Sequence, residues 1–138
     1  MISLKDIKND LPSDVIIEGV TCDSRKVKPG YIFVAIKGEI NRGEDFIDEA
    51  IKKGASVVVT SADSDLKLDI PVIKDKNPRR YLSYISSIFF NSSPETVCAI
   101  TGTNGKTSTT NFLQQIWNLM GLKSSSIGTL GIIGNEEI

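Results

Sequence analysis

The chain of 138 residues contains no histidine. That absence removes Ser–His and Cys–His nucleophile activation and the usual proton shuttle near neutral pH. There are two cysteines, Cys22 and Cys98, with no repeated spacing, which argues against a zinc site. The formal net charge is only −1, so a protein whose main work is gripping nucleic acid is not indicated. No apolar run approaches the length of a membrane span. Met1 to Leu11 alternates apolar and charged residues, unlike a signal peptide, and a cytoplasmic protein is the expectation. What is present is ordinary globular composition, 40% hydrophobic and 24% charged, with enough apolar residues for a core and a length suited to one domain or slightly more.

The most informative stretch is Val97-Cys98-Ala99-Ile100-Thr101-Gly102-Thr103-Asn104-Gly105-Lys106-Thr107. Its apolar start reads as a buried strand of a parallel sheet, with Cys98 as a small core residue. Gly102 and Gly105 allow backbone conformations closed to other residues and let a phosphate come close. Loop N–H groups and the positive end of a following helix would face one point and favour an anion. Lys106 adds a mobile cation for the terminal phosphates, and the Thr107 hydroxyl is placed to bind Mg²⁺. Ser108 extends the same first turn. The strict phosphate-loop pattern wants a further Gly where Ile100 stands, so the match is partial. The competing reading is a Gly-rich strand-to-helix turn with an exposed lysine.

Taken in order, the pattern predicts alternating strands and helices. Ser3 caps a short helix with Asp6 in the capping-box place, Leu4, Ile7 and Leu11 share a face, and Pro12 ends it. Strands are expected at Val15–Val20, Tyr31–Ile36, Ser56–Thr60 and Pro71–Ile73. A helix over Asp45–Lys53 would bury Phe46, Ile47, Ala50 and Ile51 and stop at Gly54. Asn77 caps and Pro78 opens a helix to about Phe90, with Tyr81, Leu82, Ile85, Ile88 and Phe89 on one side. Asn91 to Pro94 reads as a linker. Beyond it, a helix Thr107–Met120 carries Phe112, Leu113, Ile116, Trp117 and Met120 on one stripe, Trp117 being a core residue rather than a base platform, and Lys123–Ile127 is the next strand. The expected class is α/β with mostly parallel strands. Residues 1–92 would form a small α/β domain, and residues 95–138 the opening strand–P-loop–helix–strand of a second.

Four stretches together resemble the Mur ligases, ATP-dependent enzymes that add amino acids to the peptidoglycan precursor. They are Asp23-Ser24-Arg25 with Pro29-Gly30 and Phe33-Val34-Ala35; Gly38 through Gly43-Glu44-Asp45-Phe46-Ile47 with Ala50 and Gly54-Ala55; Thr101 to Thr107; and Ile127-Gly128-Thr129-Leu130-Gly131. The family's ATP loop also lacks the first Gly of the strict pattern. The last stretch is similar to the branch acting on UDP-N-acetylmuramoyl-L-alanyl-D-glutamate, which adds meso-diaminopimelate or L-lysine as third residue. One departure is Arg42-Gly43, where the family often has Asp-Gly.

The resemblance implies that residues 1–92 hold the uridine nucleotide end of UDP-N-acetylmuramoyl-dipeptide, with Ser24, Arg25, Asn41, Arg42 and Gly43 as contacts. Without the resemblance, Asp23-Ser24-Arg25 reads equally as a turn in which Asp23 bonds its own backbone. It implies that Gly102, Thr103, Asn104, Gly105, Lys106, Thr107 and Ser108 hold ATP, with Lys106 catalytic and Thr107 on Mg²⁺. It also implies that the chain is a fragment or truncated product. The acidic metal ligand, the modified lysine and the domain selecting the amino acid would lie elsewhere, and residues 1–138 alone would be inactive. Three other readings stand beside it: a non-catalytic nucleotide- or partner-binding module, the ligase that adds D-alanyl-D-alanine, and a folate-type glutamate ligase. The Asp-Ser-Arg stretch argues against the last.

Overall fold

The computed structural model describes residues 2–7, 15–38 and 42–134. Leu11, Pro12 and Asn41 lie outside these residues, as does the side chain of Asp6. The chain divides into two compact units, Met1–Ser93 and Pro94–Ile138.

The first unit opens with strand β1 (Ile2–Ser3) and helix α1 (Leu4–Ile7). The Lys5 N–H donates to Ser3 Oγ at 3.3 Å, as a capping serine should. The single strand expected over Val15–Val20 is two strands in two sheets. Strand β2 (Ile16–Ile17) pairs antiparallel with β1, and β3 (Gly19–Thr21) joins the main sheet. That sheet continues with β4 (Tyr31–Val34), helix α2 (Ile47–Lys52), β5 (Ala55–Ser61), β6 (Val72–Asp75) and helix α3 (Pro78–Phe90). Its order is β3-β4-β5-β6, every pair parallel.

A parallel strand covered on both faces has no polar side, and β4 and the centre of β5, Val57 to Val59, are accordingly apolar. Their alternate residues serve two separate cores. Ile32, Val34, Val57 and Val59 pack with Leu4, Ile7, Ile17, Ile73 and Ile85, with Tyr81, Leu82 and Phe89 of α3 against them. Phe33, Ala35, Ala55 and Val58 pack with Val27, Ile47 and Ala50 on the opposite face. The period of two along each strand thus becomes a three-layer arrangement, helix–sheet–helix. Helix α3 starts where the sequence predicts. The Asn77 side chain accepts from the Arg80 N–H at 3.0 Å, and Pro78 occupies the first turn. The expected helix at Asp45 begins instead as a 3-10 turn over Gly43–Phe46. Phe46 lies in that turn and is exposed rather than buried.

In the second unit, helix α4 (Lys106–Leu119) is followed by strands β7 (Ser125–Gly128) and β8 (Gly131–Gly134). The helix ends in a Schellman motif. The Gly121 N–H donates to the Asn118 carbonyl and the Leu122 N–H to the Trp117 carbonyl, with Gly121 at φ +80°. Strands β7 and β8 form an antiparallel hairpin, so the opening βαβ pattern is not what these residues adopt. Val97–Ile100 is not a strand, and both Val97 and Cys98 are exposed. The reason is pairing: strand geometry needs a ladder partner, and no described strand bonds this segment. The stripe of α4 is likewise only partly covered. Trp117 and Leu113 are half-buried, while Phe112, Ile116 and Met120 are exposed.

Candidate functional site: the glycine loop at Gly102–Ser108 and the carboxyl edge of the sheet

The loop before α4 is shaped by two glycines. Gly105, the N-cap residue, sits at φ +76°, and Gly102 at φ +153°. A Cβ at Gly105 would meet no atom within 4 Å, so the requirement for glycine there is conformational rather than steric. With glycine as N-cap, no side chain caps the first turn of α4. The backbone N–H groups of Lys106, Thr107 and Ser108 stay available at the positive end of a helix of 14 residues. That is the donor set an anion needs. Thr103, Asn104, Lys106, Thr107 and Ser108 are all exposed around it.

The Lys106 ammonium folds back on its own loop and donates to the carbonyls of Gly102 and Thr103. Among the described residues it has no carboxylate partner, so within them an incoming phosphate would compete with two exposed carbonyls. Thr107 Oγ1 lies 3.4 Å from Thr129 Oγ1 in the hairpin turn, a long contact that leaves its lone pairs accessible. Among the described residues no group of three or more acidic, Cys or His side chains could hold a metal. A single hydroxyl fits Mg²⁺ when water and phosphate oxygens fill the remaining positions.

The Asp23-Ser24-Arg25 stretch forms a 3-10 turn over Ser24–Lys26 with Asp23 as its cap. The Asp23 carboxylate accepts from the Arg25 N–H at 3.0 Å and pairs with the Arg25 guanidinium at 2.9 and 2.8 Å. The Arg25 side-chain hydrogen bonds, with help from its backbone, pull the Asp23 carboxyl down to about 2. Ser24 is buried, and its hydroxyl donates to Glu49 Oε2 at 2.8 Å. Lys53 completes the group, bonding Glu49 Oε1 at 2.7 Å and the Ser24 carbonyl at 3.2 Å. Hydrogen bonds from Lys53 and Ser24 hold Glu49 below its ordinary value. The turn is therefore pinned to α2 through Ser24, while the Arg25 side chain remains exposed.

Arg42 and Gly43 stand elsewhere, at the carboxyl edge of the parallel sheet. They line a cleft of about 460 Å³ with residues that follow β4, β5 and β6. Gly43 is glycine because a Cβ would collide with the backbone of Ile36, to whose carbonyl its N–H donates at 3.0 Å. The fully buried Thr60 anchors the same loop, donating to Glu44 Oε1 at 2.7 Å. The structure thus brings Arg42 and Gly43 together at this cleft and places Ser24 and Arg25 on a turn docked to α2. Sequence reasoning passed over Glu49, Lys53, Thr60, Lys76 and Arg79. The last two flank the Asn77-Pro78 helix start, and the rule that open parallel sheets bind ligands outside their carboxyl ends could have singled them out.

A three-layer parallel unit followed by a glycine loop at a helix start defines an α/β protein. The model of the Mur ligase family, catalytic domain, matches residues 16–113, and that of the Mur ligase middle domain matches residues 100–137. The chain belongs to the Mur ligase family, as its motifs suggested. It is 43% identical over 117 residues to the UDP-N-acetylmuramoyl-L-alanyl-D-glutamate--2,6-diaminopimelate ligase of Rhizobium meliloti (strain 1021), covering 85% of this chain and 24% of the relative. It is 36% identical over 139 residues to the ligase of the same name from Mesorhizobium japonicum, covering 96% and 29%. The chain spans about a quarter of the length of these curated relatives. Among solved structures it is similar to the MurF ligase of Thermotoga maritima in complex with ADP, at TM-score 0.60 and 27% identity, over 82% of this chain and 26% of that one. MurF from Acinetobacter baumannii has TM-score 0.68 at 21% identity, over 86% and 28%, a likeness of fold. The expected α/β class is borne out.

Proposed function

We propose that the chain is the N-terminal portion of an ATP-dependent amide-forming ligase that adds the third residue to UDP-N-acetylmuramoyl-L-alanyl-D-glutamate. The observation that carries this reading is the similarity to relatives named for that reaction with 2,6-diaminopimelate, running through both units and the glycine loop. Diaminopimelate is accordingly the favoured amino acid. The likeness to MurF structures keeps the D-alanyl-D-alanine-adding reaction as the second reading.

In the first step a D-glutamate carboxylate oxygen attacks the γ-phosphorus and ADP leaves. In the second the incoming amine attacks the acyl phosphate carbon and inorganic phosphate leaves. Residues 102–108 supply position and charge. The N–H groups at the start of α4 and the Lys106 ammonium neutralise the phosphates as negative charge moves to the leaving oxygen. Mg²⁺ held through Thr107 would add charge neutralisation when bound. The first unit holds the uridine nucleotide end of the substrate, and the reaction takes place in the cytoplasm.

Lys106→Ala in the complete ligase tests this assignment. Because among the described residues Lys106 bonds only exposed carbonyls of its own loop, the variant should keep its fold and lose ATP-dependent phosphate release. Normal turnover by a folded variant would overturn it.

A further inference from the structure

Asn104-Gly105 is the one Asn-Gly pair in the sequence, and it stands inside the glycine loop. The ligase reaction makes no use of the chemistry of that pair. The carboxamide carbon of an asparagine lies within reach of the backbone nitrogen of the next residue, and attack closes a succinimide ring. With glycine in the second place no Cβ hinders the approach. What holds the attack off in a folded protein is order: a bonded carboxamide, a bonded N–H or a backbone fixed in a ladder.

None of these restrains Asn104. It is exposed, and among the described residues its side chain makes no hydrogen bond. The Gly105 N–H has no acceptor among them either. The ladder of α4 starts just beyond, where the Thr109 N–H donates to the Gly105 carbonyl at 2.9 Å. The other asparagines of the described residues each meet a restraint. The Asn77 side chain accepts from the Arg80 N–H, and Pro78 has no N–H to attack with. Asn111 and Asn118 lie within α4, where the next N–H is held in the helix. Asn118 Oδ1 also accepts from Ser124 Oγ at 2.8 Å. Asn91 precedes Ser92, whose Cβ crowds the nitrogen.

We propose that Asn104 is a site of spontaneous deamidation that switches the phosphate loop off, and that bound nucleotide protects it. The consequence for binding rests on the ATP-loop reading above. The deprotonated Gly105 nitrogen attacks Asn104 Cγ, and ammonia leaves carrying the proton that nitrogen gave up. Water then opens the imide at one of its two carbonyls. Opening at Cγ leaves aspartate. Opening at the main-chain carbonyl leaves isoaspartate, whose backbone runs through the side chain. Water is the only co-reactant. Either product puts a carboxylate where a neutral amide stood, near Lys106 and the positive end of α4. There it pairs with the ammonium and repels phosphate. Isoaspartate also lengthens the loop backbone and displaces the N–H groups that would face the anion. A bound phosphate acts the other way, because it engages the loop N–H groups and fixes the backbone.

Peptide mapping by mass spectrometry of the 138-residue chain, kept warm with and without Mg·ATP, tests this. The mass gain of an amide NH₂ replaced by OH should appear at Asn104 ahead of Asn77, Asn91, Asn111 and Asn118. It should quicken as pH rises, since the nucleophile is the deprotonated nitrogen, and slow several-fold with Mg·ATP. Asn104→Gln should abolish it at that position, because the longer side chain closes its ring far more slowly. The converted chain, separated by ion exchange, should keep its circular dichroism and bind ATP on the order of tenfold or more weakly. Asn104→Asp should behave as the converted chain does. A mass gain no faster at Asn104 than at Asn91, or equal ATP affinity in fresh and converted chains, would overturn the proposal. Rapid conversion of Asn104 in a fresh chain that binds no ATP would uphold the modification site and overturn the ATP-loop reading.

Discussion

Gly54→Ala should be among the most damaging single-atom additions in the first unit. Gly54 follows α2 at φ +97°, and a Cβ there would stand 2.9 Å from Pro29 Cα. Its carbonyl accepts from the Gly30 N–H at 3.1 Å, tying the end of α2 to the turn before β4. The left-handed conformation costs a residue with Cβ about 1–2 kcal/mol. Overpacking against backbone adds about 1–3 kcal/mol. Together these take roughly 2–5 kcal/mol from a margin of about 5–15 kcal/mol. For a unit of this size the midpoint should drop on the order of 10 °C or more. Gly105→Ala separates the two costs, since its φ is +76° but a Cβ meets nothing within 4 Å. It should leave the unfolding of Met1–Ser93 unchanged and act on the loop, weakening phosphate binding about 5- to 30-fold if 1–2 kcal/mol is lost. Thermal unfolding by circular dichroism checks the first part and ATP titration the second. A Gly54→Ala midpoint within about 2 °C of the parent, or an equal drop in both variants, would refute this reasoning.

Acid should loosen the turn at Ser24–Lys26. Asp23 is lowered from 3.8 to about 2 by its bonds to Arg25, and Glu49 is lowered by Lys53 and Ser24. A carboxyl depressed in the folded state contributes stability above its unfolded value and loses it as pH falls through the folded one. The Ser24 and Arg25 amide shifts should therefore hold above about pH 4 and move between about 4 and 2; constant shifts across that window would contradict the pairing. Amide exchange should be fast over Val97–Ile100, which has no ladder, and slow over Tyr31–Val34, which is paired on both sides. Equal protection in both segments would be inconsistent with the structure. The 138-residue chain alone, given ATP, the nucleotide dipeptide and diaminopimelate, should release no more phosphate than the blank, and measurable ligation by it would contradict its reading as a portion of the enzyme.

Local signals were legible where one physical cause dominates. The Asn77-Pro78 start of α3, the Gly54 and Gly121 stops and the apolar run of β5 all depend on a few neighbouring residues, and each stands where the pattern places it. Val97–Ile100 was misread because four apolar residues state a preference for burial but cannot supply the partner strand. Lys123–Ile127 was read as a further parallel strand, whereas Gly131 and the apolar pair Ile132-Ile133 turn it into a hairpin. At the candidate sites the glycine loop was visible as a motif. The engagement of Ser24 by Glu49 was not, because those residues are 25 positions apart and meet only after α2 packs on the sheet. The charged cleft was hidden for the same reason, since Lys37, Arg42, Lys76 and Arg79 converge only when the three parallel strands end at one edge.

The most direct test of the central claim is substrate choice by the complete ligase, read by mass spectrometry of the nucleotide product. Given ATP and UDP-N-acetylmuramoyl-L-alanyl-D-glutamate, it should attach one diaminopimelate residue and release ADP and phosphate in equal amounts. No product from that substrate, with ligation of D-alanyl-D-alanine to the corresponding tripeptide instead, would contradict the account.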